Sequence, residues 1–399
     1  MQKFSKVLYG IVLFTCSTLR GQILDSSVKS QIQWHSHFEA GFNSLSARFL
    51  KPWIYGGALS SSFIQNESAF FNPLNSGGFY NLHEVKYSFK TKLNKGYEIG
   101  TSLVQTGALQ FSNDFFQLVF IGNTYNKIYH IAPLHVTLNQ FQTLYYSWCG
   151  TTKSSWQFSY GAGLCFGNRY INMSAHSGSA FDNRNAPQDV TLYLNSDVQA
   201  SSFKQKSGFK PENGIGIELN GSIRLALDSA WHFTTHVHHL GVMRWQRYLY
   251  KQQWDTLLNF DGLSFNAGKL EPFNNPLPDI SKTDVNTKTA FYTILPFSIH
   301  SEFLHVNTFH TIDTRIGLNY LYVSAYKPLF YITQYFGSYR LKPAATIGFG
   351  GFSKTQYGLG LHLHLNSLQL ELQSKALQSF IFTTSPFAFQ INARICYVF

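Results

Sequence analysis

Phe387-Ala388-Phe389-Gln390-Ile391-Asn392-Ala393-Arg394-Ile395-Cys396-Tyr397-Val398-Phe399 alternates without a break. Phe387, Phe389, Ile391, Ala393, Ile395, Tyr397 and Phe399 share one face; Ala388, Gln390, Asn392, Arg394, Cys396 and Val398 share the other. A period of two puts alternate side chains on opposite sides of a strand, so the two faces meet different surroundings. Seven successive apolar positions with rings at both ends fit a membrane-spanning strand of about 9–11 residues. Outer-membrane barrels commonly finish on such a strand. Tyr397 and the terminal Phe399 then read as the signal taken by the barrel-assembly machinery.

Working upstream, the alternation recurs. Tyr357, Leu359, Leu361, Leu363 and Leu365 oppose Gly358, Gly360, His362 and His364. After Asn366-Ser367 it resumes as Leu368, Leu370 and Leu372 against Gln369, Glu371, Gln373 and Lys375, which predicts a tight hairpin. Further strands are predicted over Trp156–Gly167, Ile215–Asp228, Trp231–Leu240 and Arg315–Tyr322, and over Val85–Leu93 turning at Asn94-Lys95-Gly96. Two stretches, Asn172 to Asn213 and Gln246 to Thr289, are rich in Ser, Asn, Asp, Gly and Pro and are expected to be long loops. Residues 22–78 are only partly strand-like and read as either a plug in the lumen or the first strands.

Composition points the same way. The 399 residues are 44% hydrophobic and 17% aromatic but only 13% charged, against roughly 25% charged for a soluble domain. Beyond the amino-terminal run, no stretch reaches the ~18 apolar residues of a membrane helix. A barrel accounts for both departures, because its outer face excludes charge and its rims collect aromatic girdles. The expected fold is therefore all-β, an antiparallel transmembrane β-barrel of about 14 strands (12–16) at ~10 residues per strand.

Lys3 and Lys6 precede an apolar run from Val7 to Phe14, which predicts a signal peptide over residues 1–21 with cleavage before Gln22, and a barrel domain over 22–399. Phe14-Thr15 makes a poor lipobox for Cys16. The expected address is the outer membrane of a Gram-negative bacterium. Removing Lys3, Lys6 and Arg20 lowers the formal charge from +11 to +8. Its basic residues are scattered rather than clustered, which argues against nucleic acid and for outer-membrane lipid and lipopolysaccharide as partners. Cys149, Cys165 and Cys396 show no disulfide framework or metal-type spacing.

Several phrases resemble a Bacteroidota outer-membrane barrel family that carries only a domain-of-unknown-function label and is distantly similar to long-chain fatty-acid transporter barrels. They are FSNDFFQLVFIGN at Phe111 to Asn123, YGAGLCFGNRYIN at Tyr160 to Asn172, GIGIEL at Gly214 to Leu219, HLGVMRW at His239 to Trp245, and Leu295-Pro296. His239 stands where that family favours an acid, and Cys165 where it favours lysine. The resemblance implies a fold, an outer-membrane address, and a hydrophobic-ligand or secretion-adaptor role. It brings no catalytic residues.

Candidate lumen-lining residues are Glu218, Arg224, Asp228, His232, His236, His238, Arg315, His362, His364, Glu371, Lys375 and Arg394, all on predicted inward faces. In lipid such groups are costly, whereas in a lumen they pair or stay hydrated. The histidines lack recurring acidic or cysteine partners at metal-ligand spacing, so no metal or cofactor is expected. Ser177 and Ser179 follow His176 but form no nucleophile elbow, and Asp182 lies in loop sequence, so no catalytic residue is assigned. Two roles remain: a passive carrier or channel for small hydrophobic or amphipathic solutes, or a non-transporting scaffold that docks a secretion or surface-attachment complex. Phe63, Phe70 and Phe71 inside the barrel favour the first, and at its rim the second.

Overall fold

The computed structural model describes residues 30–55, 60–68, 71–92, 95–122, 124, 126–152, 156–185, 189–201, 213–260, 265–266, 269–270, 289–306, 312–337 and 340–399. Fourteen antiparallel strands form a closed wall. They are β1 (Ser30–Ser46), β2 (Leu74–Lys92), β3 (Lys95–Ser112), β4 (Leu134–Thr151), β5 (Trp156–Ala175), β6 (Gly214–Ala226) and β7 (Trp231–Trp245). β8 (Ser298–Val306), β9 (Ile312–Leu321), β10 (Lys327–Phe336), β11 (Leu341–Gly351), β12 (Thr355–Leu365), β13 (Leu368–Ser374) and β14 (Pro386–Val398) complete it. The ring closes where β1 pairs with β14, from Gln31↔Val398 to Gly41↔Ala388. The fourteen-strand expectation holds, as does the hairpin at Asn366-Ser367, where Leu365 faces Leu368.

One end of the barrel carries short turns, such as Leu227–Ala230 and Asn366-Ser367; the other carries the long connections. On the long-connection end lie helices α1 (Ala47–Tyr55), α2 (Ser61–Ser68), α3 (Asn113–Phe120) and α4 (Gln378–Ile381). None is long and apolar enough to cross a membrane. α3 starts where it does because Ser112 is extended and its Oγ accepts from Phe115 N–H at 3.0 Å, with Asp114 in the first turn.

The stretch from Asn172 to Asn213 is not loop throughout. β5 runs on to Ala175, and strands Ala180–Asn185 and Asp189–Ser201 follow it. Asp189–Ser201 pairs with the end of β5 on one side and with Leu249–Phe260 on the other, which corrects the loop expectation for Gln246 onward as well. These strands pack through a small core of Val198, Ala200 and Tyr250 and leave many other side chains exposed, so they keep the polar composition of loop sequence. Of the readings for residues 22–78, the described part supplies wall strand β1 and the two helices α1 and α2. Leu93 and Asn94, the predicted turn after β2, lie outside the described residues.

The wall is apolar outside and polar inside. Outward residues include Ile99, Leu144, Leu164, Ile217, Leu359 and Leu361, all exposed. Near the short-turn end, outward rings touch in series, Tyr87–Phe89–Tyr97–Tyr146 and Trp148–Phe158, at 5.2–5.7 Å between neighbouring centroids. An apolar outer belt with an aromatic girdle is the distribution of a barrel whose wall meets lipid. On β2 to β5 the belt ends at a row of four outward polar side chains in mutual register, Asn81, Gln105, Gln140 and Arg169. Above that row, Leu109, Phe111, Val136 and Met173 are outward too, yet they pack into a cluster with Phe49, Ile64 and Phe116 of α1 to α3. The helices thus form a pad on the outer face of the wall.

Candidate functional site

Inward side chains divide the lumen into two layers. Towards the long-connection end lies an apolar layer, with Val104, Phe141, Met243, Trp245, Leu295, Leu321, Leu329 and Phe352 almost fully buried. Phe352 gets there because the loop after β11 folds inward over the lumen. Gly350 and Gly351, at φ 115° and 71°, permit that reversal, and a Cβ on Gly350 would stand 2.0 Å from the Pro328 carbonyl. The ring lands against β1 and β2 where Gly41 and Gly78 leave room; a Cβ on Gly78 would lie 2.4 Å from it. A second loop, between β9 and β10, reaches in beside it and is held by Gln110 Nε2 of β3 donating to Ser324 O at 2.7 Å. Together these loops make a lid.

Beneath the lid is a polar chamber of about 230 Å3. Six glutamates line it, Glu39, Glu84, Glu98, Glu218, Glu302 and Glu371, with six histidines and the cations Lys86, Arg315, Lys375 and Arg394. Its carboxylates are engaged. Glu84 accepts from Tyr145 Oη at 2.8 Å, Glu98 pairs with Lys86 at 3.2 Å, and Glu302 lies 3.3 Å from both Arg315 and His300. Glu371 meets His362 at 2.6 Å, and Glu39 lies 3.4 Å from Tyr326 Oη at the lid.

The most deeply buried pair is Glu218 with His239, 2.7 Å apart. A bulge between Val237 and Leu240 makes it: His239 takes φ 61°, its N–H donates to Asn220 Oδ1, and consecutive histidines 238 and 239 both face the chamber. Phe141 stands edge-on to the His239 ring. Among the described residues no three His, Cys, Asp or Glu side chains are grouped to hold a metal ion.

Of the residues expected inside, Glu218, His236, His238, Arg315, Glu371, Lys375 and Arg394 line this chamber. His362 faces inward and pairs with Glu371 without lining it. Arg224 and His232 hold inward positions on β6 and β7, nearer the short turns, and His364 is half-buried near the end of β12. Asp228 is not a lumen residue: it is exposed in the β6–β7 turn, where its carboxylate accepts from Ala230 and Trp231 N–H. Strand β6 stops at Ala226, so the alternation that carried Asp228 inward no longer applies there.

His35, His37, Glu39, Glu84, Lys86, Glu98, His239, His300 and Glu302 were not singled out from sequence, though all line the chamber. A signal existed for three of them, since His35, His37 and Glu39 alternate with Trp34, Ser36 and Phe38. Phe63 and Phe71 belong to the outer pad, not the lumen. Phe70 lies outside the described residues. Cys149, Cys165 and Cys396 are buried free thiols.

No family model matches the chain, and no curated protein is significantly similar to it. Among solved structures it is similar to the TodX monoaromatic hydrocarbon channel in its deltaS2S3 mutant form, at 9% identity over 93% of this chain and 90% of that one, with a TM-score of 0.48. A Pseudomonas aeruginosa FadL homologue gives 8% identity over 93% and 88%, at 0.42. The translocator domain of the autotransporter NalP from Neisseria meningitidis gives 7% over 100% and 95%, at 0.34. Likenesses of this depth say nothing of function, and the barrel rests on its own strand pairing.

Proposed function

We propose that this chain is an outer-membrane barrel of a Gram-negative bacterium that passes small amphipathic solutes. The observation that carries the reading is the two-layer lumen: a polar chamber joined to an apolar lid offers one surface to each end of such a solute. Tyr326 belongs to both layers, packing edge-on to Phe352 at 4.9 Å between centroids and reaching Glu39 below. Passage requires the lid to move, and the loop carrying Phe352 is the piece that closes the space above the chamber.

The test is conductance of the folded barrel in a planar bilayer, with wild type beside Phe352→Ala. The wild type is expected to open rarely. Removing the ring is expected to lengthen openings, because Phe352 is the side chain that packs against Gly41 and Gly78. Silence from both folded barrels would count against a conduit through the lumen.

A second reading, a scaffold that docks a secretion or surface-attachment complex, has its own support. The aromatic cluster of α1 to α3 sits on the outside of the wall at the long-connection end, where a neighbouring protein can reach it. Under that reading, purification from the outer membrane in mild detergent yields a stoichiometric partner that Val119→Glu, on the exposed side of α3, removes.

A further inference from the structure

Every carboxylate of the chamber has a basic or phenolic partner, but not every cation has an acid. Lys86 pairs with Glu98 and Arg315 with Glu302. For Lys375 and Arg394, no carboxylate lies within ion-pairing distance among the described residues. Lys375 is 7% exposed, and its ammonium rests 3.4 Å from the centre of the Tyr331 ring. Arg394 keeps Nε and Nη1 without any acceptor, both atoms buried. Buried cations in that condition are costly unless something else supplies the negative charge.

Both stand on one seam of the wall, on or just beyond the paired strands β13 and β14, and the side chains between them are donors. Gln390 Oε1 is already occupied, accepting from Lys375 N–H at 3.0 Å. Asn392 Oδ1 lies 3.0 Å from His35 Nε2. With their oxygens committed, both amides keep an NH2 group to donate, and all four residues line the chamber. Glu371, the nearest acid by register, opposes Arg394 across the strands but is held by His362.

We infer that this seam is a binding site for a small oxyanion of the size of inorganic phosphate, held by Lys375 and Arg394 and oriented by the amides of Gln390 and Asn392. A free oxyanion supplies several acceptors in a volume the chamber can hold, and a guanidinium and an ammonium that line the same chamber match it by charge. This seam holds the two chamber cations without an ion-paired carboxylate, its one acid being Glu371, paired with His362; the wall around Glu39, Glu84 and Glu218 offers acids already bonded. The site goes beyond solute passage and does not depend on it.

The experiment is calorimetric titration of the folded, detergent-solubilised barrel with inorganic phosphate, with sulfate and chloride as parallel arms and heat-modifiable gel migration as the check of folding. Phosphate and sulfate are expected to bind at one site, with chloride at least tenfold weaker. Lys375→Gln and Arg394→Gln are each expected to weaken phosphate by about 10-fold to 100-fold, the loss of one hydrogen bond to a charged group. Lys342→Gln, which touches Asp313 outside the chamber, is expected to leave binding unchanged. If a charge variant does not fold, Asn392→Ala leaves both cations in place and is expected to weaken phosphate by about fivefold. No phosphate binding by the folded wild type, or equal binding by wild type and all folded seam variants, overturns the site. Because the measurement involves no conduction, a barrel that binds phosphate and passes nothing would refute the conduit and keep the site.

Discussion

Strands β2 to β5 run 18 to 20 residues, whereas β8 to β13 run 7 to 11. A spanning strand needs about 9–11, so the second set only crosses the lipid and the first continues beyond it. Alternation persists along the long strands, but the surroundings of their outward face change partway. Below Asn81, Gln105, Gln140 and Arg169 that face is uncovered and mainly apolar, with His83, Thr101 and Gln142 among its residues; above them it is covered by α1 to α3. The same pattern of residues therefore faces lipid at one height and protein at another, and the row of polar side chains lies at the change.

The hardest blow to this division is aimed at the pad. Phe116→Ala removes a ring that is 1% exposed and lies 4.4–5.4 Å from those of Phe49, Phe71 and Phe120. It is expected to cost about 3–5 kcal/mol, all of it local. Limited proteolysis should then cut between β1 and β4 while the barrel keeps its resistance to heat in detergent; simultaneous loss of both would mean that pad and barrel are one cooperative unit.

Next is a matched pair of substitutions. Leu361→Arg places charge on the lipid face of β12 and is expected to cost about 2–4 kcal/mol in refolding titrations into bilayers. Gln140→Arg, in the polar row, is expected to stay within about 0.5 kcal/mol. Equal costs would put the boundary elsewhere. In the same assay Ile391→Lys should resemble the first and Asn392→Lys the second, because their side chains take opposite faces of β14.

A smaller effect is expected from Ser112→Ala, which removes the α3 cap and a bond of 2.6 Å to the His130 carbonyl. About 1 kcal/mol is expected, read as faster amide exchange in the first turn of α3 and none in β9.

The smallest belongs to the short-turn end. N–H of Trp231, then of Ala230, holds the Asp228 carboxyl below the usual carboxylate range. A depressed carboxyl pKa stabilises the folded turn above the unfolded value of about 3.9 and loses that contribution as pH falls through the folded value. Amide exchange at Trp231 should therefore quicken below about pH 4 relative to the intrinsic rate, and Asp228→Asn should flatten the dependence.

The short strands were the legible part of the sequence. From Tyr357 to Gln373 and from Phe389 to Phe399, outward residues meet lipid and inward ones meet the lumen, so a period of two reports both faces. Asp189–Ser201 and Leu249–Phe260 are hidden from such a reading because they sit in stretches rich in Ser, Asn, Asp, Gly and Pro, the composition of loops. The chamber was half legible: Glu371, Lys375 and Arg394 follow from alternation, while His239 does not, because a bulge puts two consecutive histidines on one face. Phe352 could not be foreseen, since its place in the lid depends on two glycines on strands far from it in sequence.

The seam between β1 and β14 also sets the order of assembly. Gln31 finds its partner in Val398, and Phe399 N–H donates to the Ser30 carbonyl. Until that last strand is in place, β1 and β13 are open edges with unpaired backbone groups, which lipid cannot satisfy and which invite pairing with other chains. Contacts so remote in sequence form late and slowly. The time the barrel spends unsealed is therefore governed by its final strand, and a change that slows the docking of β14 should raise misassembly without altering the stability of the finished ring.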